Sequence, residues 1–246
     1  VVLLYLCCGE LRLPWSFLIW RGKGEPSPTQ LALKLLRGLP AEVRHSSKTI
    51  HLLADGGFSS KEFIQGIIAL KFAGFIGMRA DRKTSTGQHL RDITTSGRKI
   101  ELHDLPGVTL WVTWVWLPAK KGDAQERRFI VSTVPRTAQV IQRTGKRRWK
   151  IEALFKTLKS RFGFGRFGQQ TKRGVLRFLC LSLLSFLLCH FEFLDRPDPG
   201  DPAWPDWGKL ARYVRQKFLT EVRLAELFLE MNQLNAVHDA LFCMKL

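Results

Sequence analysis

The sequence predicts an α/β protein, on three observations. A strand–helix–strand order runs from Thr49 to Arg79. Three turn-separated apolar runs follow, Lys99–His103, Val108–Leu117 and Arg128–Val134, which read as strands. From Arg143 onward the apolar residues recur at helical spacing. A chain of 246 residues is long enough to bury one large core, or one and a half. Its 45% apolar and 24% charged content is that of an ordinary globular protein. The charge balance is not ordinary. With 39 Lys and Arg against 21 Asp and Glu, the net charge of +18 points to a polyanionic partner, nucleic acid ahead of an anionic membrane surface.

Taken in order, Val1–Cys8 suits a buried strand, Gly9-Glu10 a turn and Leu11–Trp20 a second strand, together an antiparallel hairpin. Val1–Cys8 lacks the basic start of a signal peptide and resembles the inside of a domain whose first strand precedes it. The G-K-G in the loop Arg21–Pro28 lacks the spacing of a nucleotide-binding motif and reads as a turn. Thr29 is the expected N-cap of a helix to Leu39, with Leu31, Leu35 and Leu36 on one face.

Thr49–Ala54 is the next buried strand and stops at Asp55. Ser59 and Glu62 form an expected capping box for a helix to about Ala73, and Phe75–Arg79 is a strand. Asp55 therefore sits at the carboxyl end of a strand in a parallel β-α-β unit, where open α/β sheets place their chemistry. The plain alternative for such an Asp is a turn former. Trp111, Trp114 and Trp116 are expected to pack in the sheet.

Residues 143–177 hold twelve Lys and Arg and a single acid, Glu152, a net charge of +11. Ile151, Leu154, Phe155 and Leu158 mark the buried face of a helix. At 100° per residue Glu152, Lys156 and Lys159 fall within about 80° of Arg148, on one exposed edge. The plain reading of Arg148 and Glu152 is an i,i+4 ion pair on a solvated helix. Phe178–Phe191 is too short an apolar run to span a bilayer and reads as part of a buried helix, Val175–Leu194, so no membrane partner is expected. Asp195–Trp207, rich in Pro and Asp, is a linker, and Leu210, Val214, Phe218, Val222 and Ala225 give a final amphipathic helix that docks either on the domain or on a second subunit. Five cysteines without a C-x-x-C pair read as buried, reduced thiols.

Ala54-Asp55-Gly56-Gly57-Phe58, followed 97 residues later by Glu152 within R-R-W-K-I-E-A-L-F-K-T-L-K, resembles the DDE transposases of bacterial insertion sequences, the insertion-sequence-four group. The likeness covers about Val1 to Leu188, the Gly9–Trp20 hairpin included. Arg148, Glu152 and Lys159 match the last three positions of the family's Tyr, Arg, Glu, Lys signature at its spacing. Three departures stand out. Gly145 replaces the signature Tyr, Gly56 replaces an Arg, and the first catalytic Asp is expected ahead of Val1.

The resemblance implies a ribonuclease H-like core with a β-rich insertion and a helical C-terminal tail. Its expected parts are residues 1–79 and 137–194 as the core, 80–136 as the insertion, 195–207 as a linker and 208–246 as the tail. It implies metal-dependent strand cleavage and transfer at element ends, with a pair of Mg²⁺ or Mn²⁺ ions held by Asp55 and Glu152. Such ions prefer carboxylate oxygen and water, which suits Asp and Glu. Arg148 and Lys159 are then the phosphate contacts, and Lys156, Arg147 and Lys150 extend them along double-stranded DNA. A homodimer and a place in the bacterial cytoplasm, at the nucleoid, follow from the same likeness. Without its first Asp the chain is expected to be an inactive, truncated form. The competing reading is a non-catalytic DNA-binding remnant that pairs with or inhibits an intact transposase.

Overall fold

The computed structural model describes residues 1–45, 48–117, 126–166, 168–195 and 205–243, the last eight of these by backbone alone. The chain divides into two compact units, Val1–Leu6 with Pro14–Leu154, and Cys7–Leu13 with Phe155–Leu246.

The first unit is built on a five-stranded mixed sheet. Its strands are β3 (His51–Ala54), β4 (Ala73–Met78), β5 (Arg98–Leu102), β6 (Leu105–Leu117) and β7 (Glu126–Ser132), in the order β3-β4-β7-β6-β5. Only β3 and β4 run parallel, with His51 beside Ala73 and Ala54 beside Ile76. The crossover between them is α3 (Lys61–Ala69). The three strands between residues 80 and 136 continue this same sheet, because β7 pairs antiparallel with β4.

Alternation along β4 and β7 creates two cores. Ile76, Met78, Phe129 and Val131 face one side, where Phe63, Ile64 and Ile67 of α3 and Leu33 and Leu36 of α1 (Pro28–Arg37) are buried on them. Phe75 and Ile130 face the other side and meet Ile141 of α4 (Ala138–Lys146). The hairpin strands β1 (Val2–Cys8) and β2 (Leu11–Leu18) pair as a separate two-stranded sheet, and Leu4 and Leu6 pack against the first core. A short helix, α2 (Ala41–Arg44), follows α1.

Helix starts differ from expectation by one or two residues. Ser27, not Thr29, caps α1: its hydroxyl accepts from the Gln30 N–H and the Gln30 side chain returns to the Ser27 N–H, with Pro28 at the first helical position. Ser60, not Ser59, caps α3 by accepting from the Phe63 N–H, and α3 ends at Ala69 rather than Ala73. In each case an adjacent hydroxyl has the better reach to the free N–H groups. The basic stretch expected as one helix is two, α4 and α5 (Trp149–Arg161), joined by short i→i+3 bonds at Arg147, Arg148, Lys150 and Ile151. Leu154 and Leu158 are buried, and Glu152, Lys156 and Lys159 are exposed, as the wheel predicts.

The second unit contains the rest of α5, with α6 (Lys172–Leu194) and α7 (Trp207–Cys243). Phe162, Phe186, His190 and Trp207 form its aromatic centre, the Phe186 and Trp207 rings 5.0 Å apart. The backbone N–H of Arg12, at the hairpin tip, donates to His190 Nε2 at 2.8 Å. Asp206 Oδ1 accepts from the N–H groups of Gly208 and Lys209 and so caps α7.

Two expectations for this unit are corrected. The apolar run Phe178–Phe191 lies in a helix of 23 residues, which ends at the expected Leu194, starts three residues before the expected Val175, and is long and apolar enough to cross a bilayer by length and composition. It is also only partly buried, with Leu181, Leu184, Leu188 and Phe191 exposed. Lys172, Arg173 and Gly174 extend it, because Thr171 caps it by accepting from the Gly174 N–H. Cys7, Cys8 and Cys180 are exposed, and Cys189 is buried. The expected linker lies mostly outside the described residues.

Candidate active site

The carboxyl ends of the parallel pair β3 and β4 open on a cavity of about 470 Å³ within the first unit. Asp55 and Gly56 enter it from β3, and Gly77, Arg79 and Asp81 from β4 and the turn after it. Glu126, Arg127 and Arg128 come from the start of β7, and Lys146, Arg148 and Trp149 from the α4–α5 junction.

Local folding fixes Asp55. It ends β3 in an extended conformation and caps the 3₁₀ turn Gly56–Phe58, its Oδ1 accepting from the Gly57 N–H at 2.9 Å. Ser59 closes the turn by donating to the Gly56 carbonyl at 2.7 Å. Beneath, β4 presses against the turn at Gly77. A Cβ there would stand 2.9 Å from the Gly56 nitrogen and 3.3 Å from the Asp55 carbonyl carbon. Both are backbone atoms, so only glycine lets the strands approach this closely.

Arg148 lines the same cavity, and its Nη1 donates to Glu152 Oε1 at 2.6 Å, one turn along α5. The Arg148 side chain is 17% exposed and that of Glu152 58%, so the arginine is the held partner and the carboxylate the accessible one. Gly145, where the resemblance has Tyr, is set by packing. A Cβ would come within 2.6 Å of Ile130 Cδ1, where α4 lies on β7. Of the other expected DNA contacts, Arg147 is exposed at the end of α4 and Lys150 is half-buried. Lys156 and Lys159 lie on the part of α5 that belongs to the second unit.

The cavity adds cations that were not singled out in the sequence: Arg79, Arg91, Arg127, Arg128 and Lys146. With Arg148 they outnumber Asp55, Asp81 and Glu126 by six to three. Three of them are committed elsewhere, Arg91 by an ion pair to Asp92 at 4.0 Å. Arg79 grips Asp81 with two bonds, and this holds the Asp81 carboxyl below its usual range. Arg127 lies over Trp114, Trp116 and Phe129, 5.1–5.8 Å from their centroids, and donates to the carbonyls of Ile93 and Arg91. Arg128 and Lys146 have no ion-pair partner among the described residues, so their charge is available to an anion. One signal for Arg79 was present in the sequence: it directly follows a strand parallel to β3, as Asp55 does. Arg127 and Arg128 depend on β7 pairing with β4, which periodicity does not reveal.

The Transposase DDE domain family matches residues 5–188, three quarters of the chain. The chain belongs to the DDE transposase family. No curated protein matches it. The family binds DNA, acts in DNA transposition and generally uses a divalent metal. The mixed sheet and C-terminal helices are consistent with its ribonuclease H-like fold. As ligands for such a metal, Asp55 and Glu152 have the right donor type, and each has one oxygen engaged by Gly57 or Arg148 and a second with no bond among the described residues. No group of three or more His, Cys, Asp or Glu lies together among the described residues. One or two carboxylates still suit Mg²⁺, which keeps several waters and takes substrate phosphate oxygens.

Proposed function

We propose that this chain is a transposase of the insertion-sequence-four group, acting by metal-dependent phosphoryl transfer on the ends of its own element. Its partner is double-stranded DNA rather than a bilayer, it works as a homodimer, and it resides in the bacterial cytoplasm at the nucleoid. The observation that carries this reading is Asp55, fixed at a strand end in a cation-lined cavity together with Arg148, whose ion-pair partner is Glu152.

Asp55 and Glu152 would hold the divalent ions, whose chemistry there would be to activate the attacking oxygen and stabilise the leaving one. Arg148 turns from Glu152 to a phosphate oxygen, releasing the carboxylate for its ligand role. Arg128 and Lys146 offset the charge that builds on the phosphate in the transition state. Lys159, Lys156, Arg147 and Lys150 bind the flanking backbone without reading bases.

A Mg²⁺-dependent nicking assay on element ends tests the reading, with Asp55→Ala and Glu152→Ala as controls. Each variant is expected to lose nicking and to keep DNA binding; equal activity of wild type and both variants contradicts the assignment. A second reading, DNA binding without chemistry, is favoured by the Arg148–Glu152 bond and by the lack of a third nearby ligand among the described residues. Binding with no nicking by the wild type selects it.

A further inference from the structure

α7 outruns the unit it starts from. Trp207 and Leu210 are buried, yet every residue from Arg215 to Asn235 is exposed. That stretch carries Leu224, Leu227, Met231 and Leu234, each more than half exposed, at the alternating spacing of three and four that forms a coiled-coil seam. Phe218, Val222 and Leu229 add a second row on another face. In proteins most helical stability comes from packing an apolar face, and a bare apolar seam marks an interface.

Charge selects the occupant. Residues 207–217 hold Lys209, Arg212, Arg215 and Lys217 and no acid, whereas residues 218–235 hold Glu221, Glu226 and Glu230 against Arg223 alone. The outer half is thus net negative in a chain of +18, which turns DNA away. A charge at nearly every turn keeps it out of a bilayer core. The same helix run in the opposite direction complements it, laying a basic first third on an acidic outer half. A parallel pairing would set like charge on like.

We propose that the outer half of α7 is a self-association surface, pairing antiparallel with α7 of a second copy across a two-fold axis. The pairing also carries each outer half toward the partner's α6, where the exposed row Leu181, Leu184, Leu188 and Phe191 has the same spacing. A stable interface removes about 800 Å² from each partner, which calls for both rows and not one alone. This gives the homodimer of the proposed function a surface, and its test needs neither DNA nor metal, so the two readings fail separately.

Sedimentation equilibrium of the full chain, without DNA, should give a dimer at micromolar concentration. The double variant Leu227→Lys, Met231→Lys replaces exposed residues only; it should keep its far-ultraviolet circular dichroism and weaken the dimer at least about a hundredfold. A photo-crosslinking benzoylphenylalanine in place of Leu234 should couple to the first third of the partner's helix, as mapped by mass spectrometry. A monomeric wild type or an undiminished dimer of the double variant overturns the surface. Crosslinks from Leu234 to its own counterpart overturn the orientation.

Discussion

Asp55 owes its position to a residue that has no side chain. Gly77 lets β4 lie against the Asp55–Gly56 backbone, and a methyl group there would have to push the turn away. Gly77→Ala is expected to cost about 1–3 kcal/mol as an overpacked site. It should also reduce Mg²⁺-dependent nicking more than Arg148→Ala reduces DNA affinity. Thermal melts together with a nicking assay check this; full activity with lowered stability would limit Gly77 to a packing role. For the cations, Arg128→Ala and Lys146→Ala should each weaken DNA binding uniformly across sequences. Each should also lower the salt slope by about one, measured by titration at several salt concentrations. The strand-end position of Asp55 and the shared helix edge of Arg148 and Glu152 were legible in the sequence because each sits at a fixed distance from an apolar pattern. Arg128 and Lys146 were not, because a cavity wall built from β7 and α4 depends on pairings far apart along the chain.

Elements show the same division between local and distant causes. Strands β3, β4 and β6 and helices α6 and α7 are readable from periodicity, which reports which face is buried. Helix starts shifted by a residue or two because Ser27 and Ser60 compete with neighbouring hydroxyls for the same N–H groups. The break between α4 and α5 was invisible, since Gly145 reads as a permissive helix residue while its true constraint is Ile130 on β7. That constraint is testable. The Cδ1 atom is the far end of a flexible side chain and alanine favours the helix, so Gly145→Ala should shift the stability of the first unit by less than about 1 kcal/mol, and its combination with Ile130→Val, which removes that atom, should depart from additivity. Urea unfolding of the single and double variants gives the coupling directly.

In the second unit, His190 is 2% exposed, and its Nε2 accepts from the Arg12 N–H, so the folded state needs the neutral ring. Burial, with Arg12 adding to it, lowers its pKa below the ordinary 6.5. The unfolded chain therefore takes up the proton first as pH falls. The stabilisation is complete above about 6.5 and is lost as pH drops through the lower, folded value. Urea midpoints should decline from pH ~7 toward ~5, and His190→Gln should flatten that decline. An unchanged slope in the variant would assign the pH dependence to other groups.

For the molecule as a whole, net charge indicated the class of partner before any fold was known, because a charge of +18 is a property of composition alone. Strand order, the joining of three further strands to the β3–β4 sheet, and the bare outer half of α7 are properties of long-range packing, and the linear pattern does not contain them. The central claim likewise joins two distant points, the end of β3 and the first turn of α5, through one pair of ions. Anomalous diffraction from crystals of the chain soaked in Mn²⁺ measures it most directly. The account predicts anomalous density within coordination distance of a carboxylate oxygen of both Asp55 and Glu152, with Arg148 swung off Glu152. Mn²⁺ bound to other side chains, or to one of these carboxylates with the other still paired to Arg148, would contradict it.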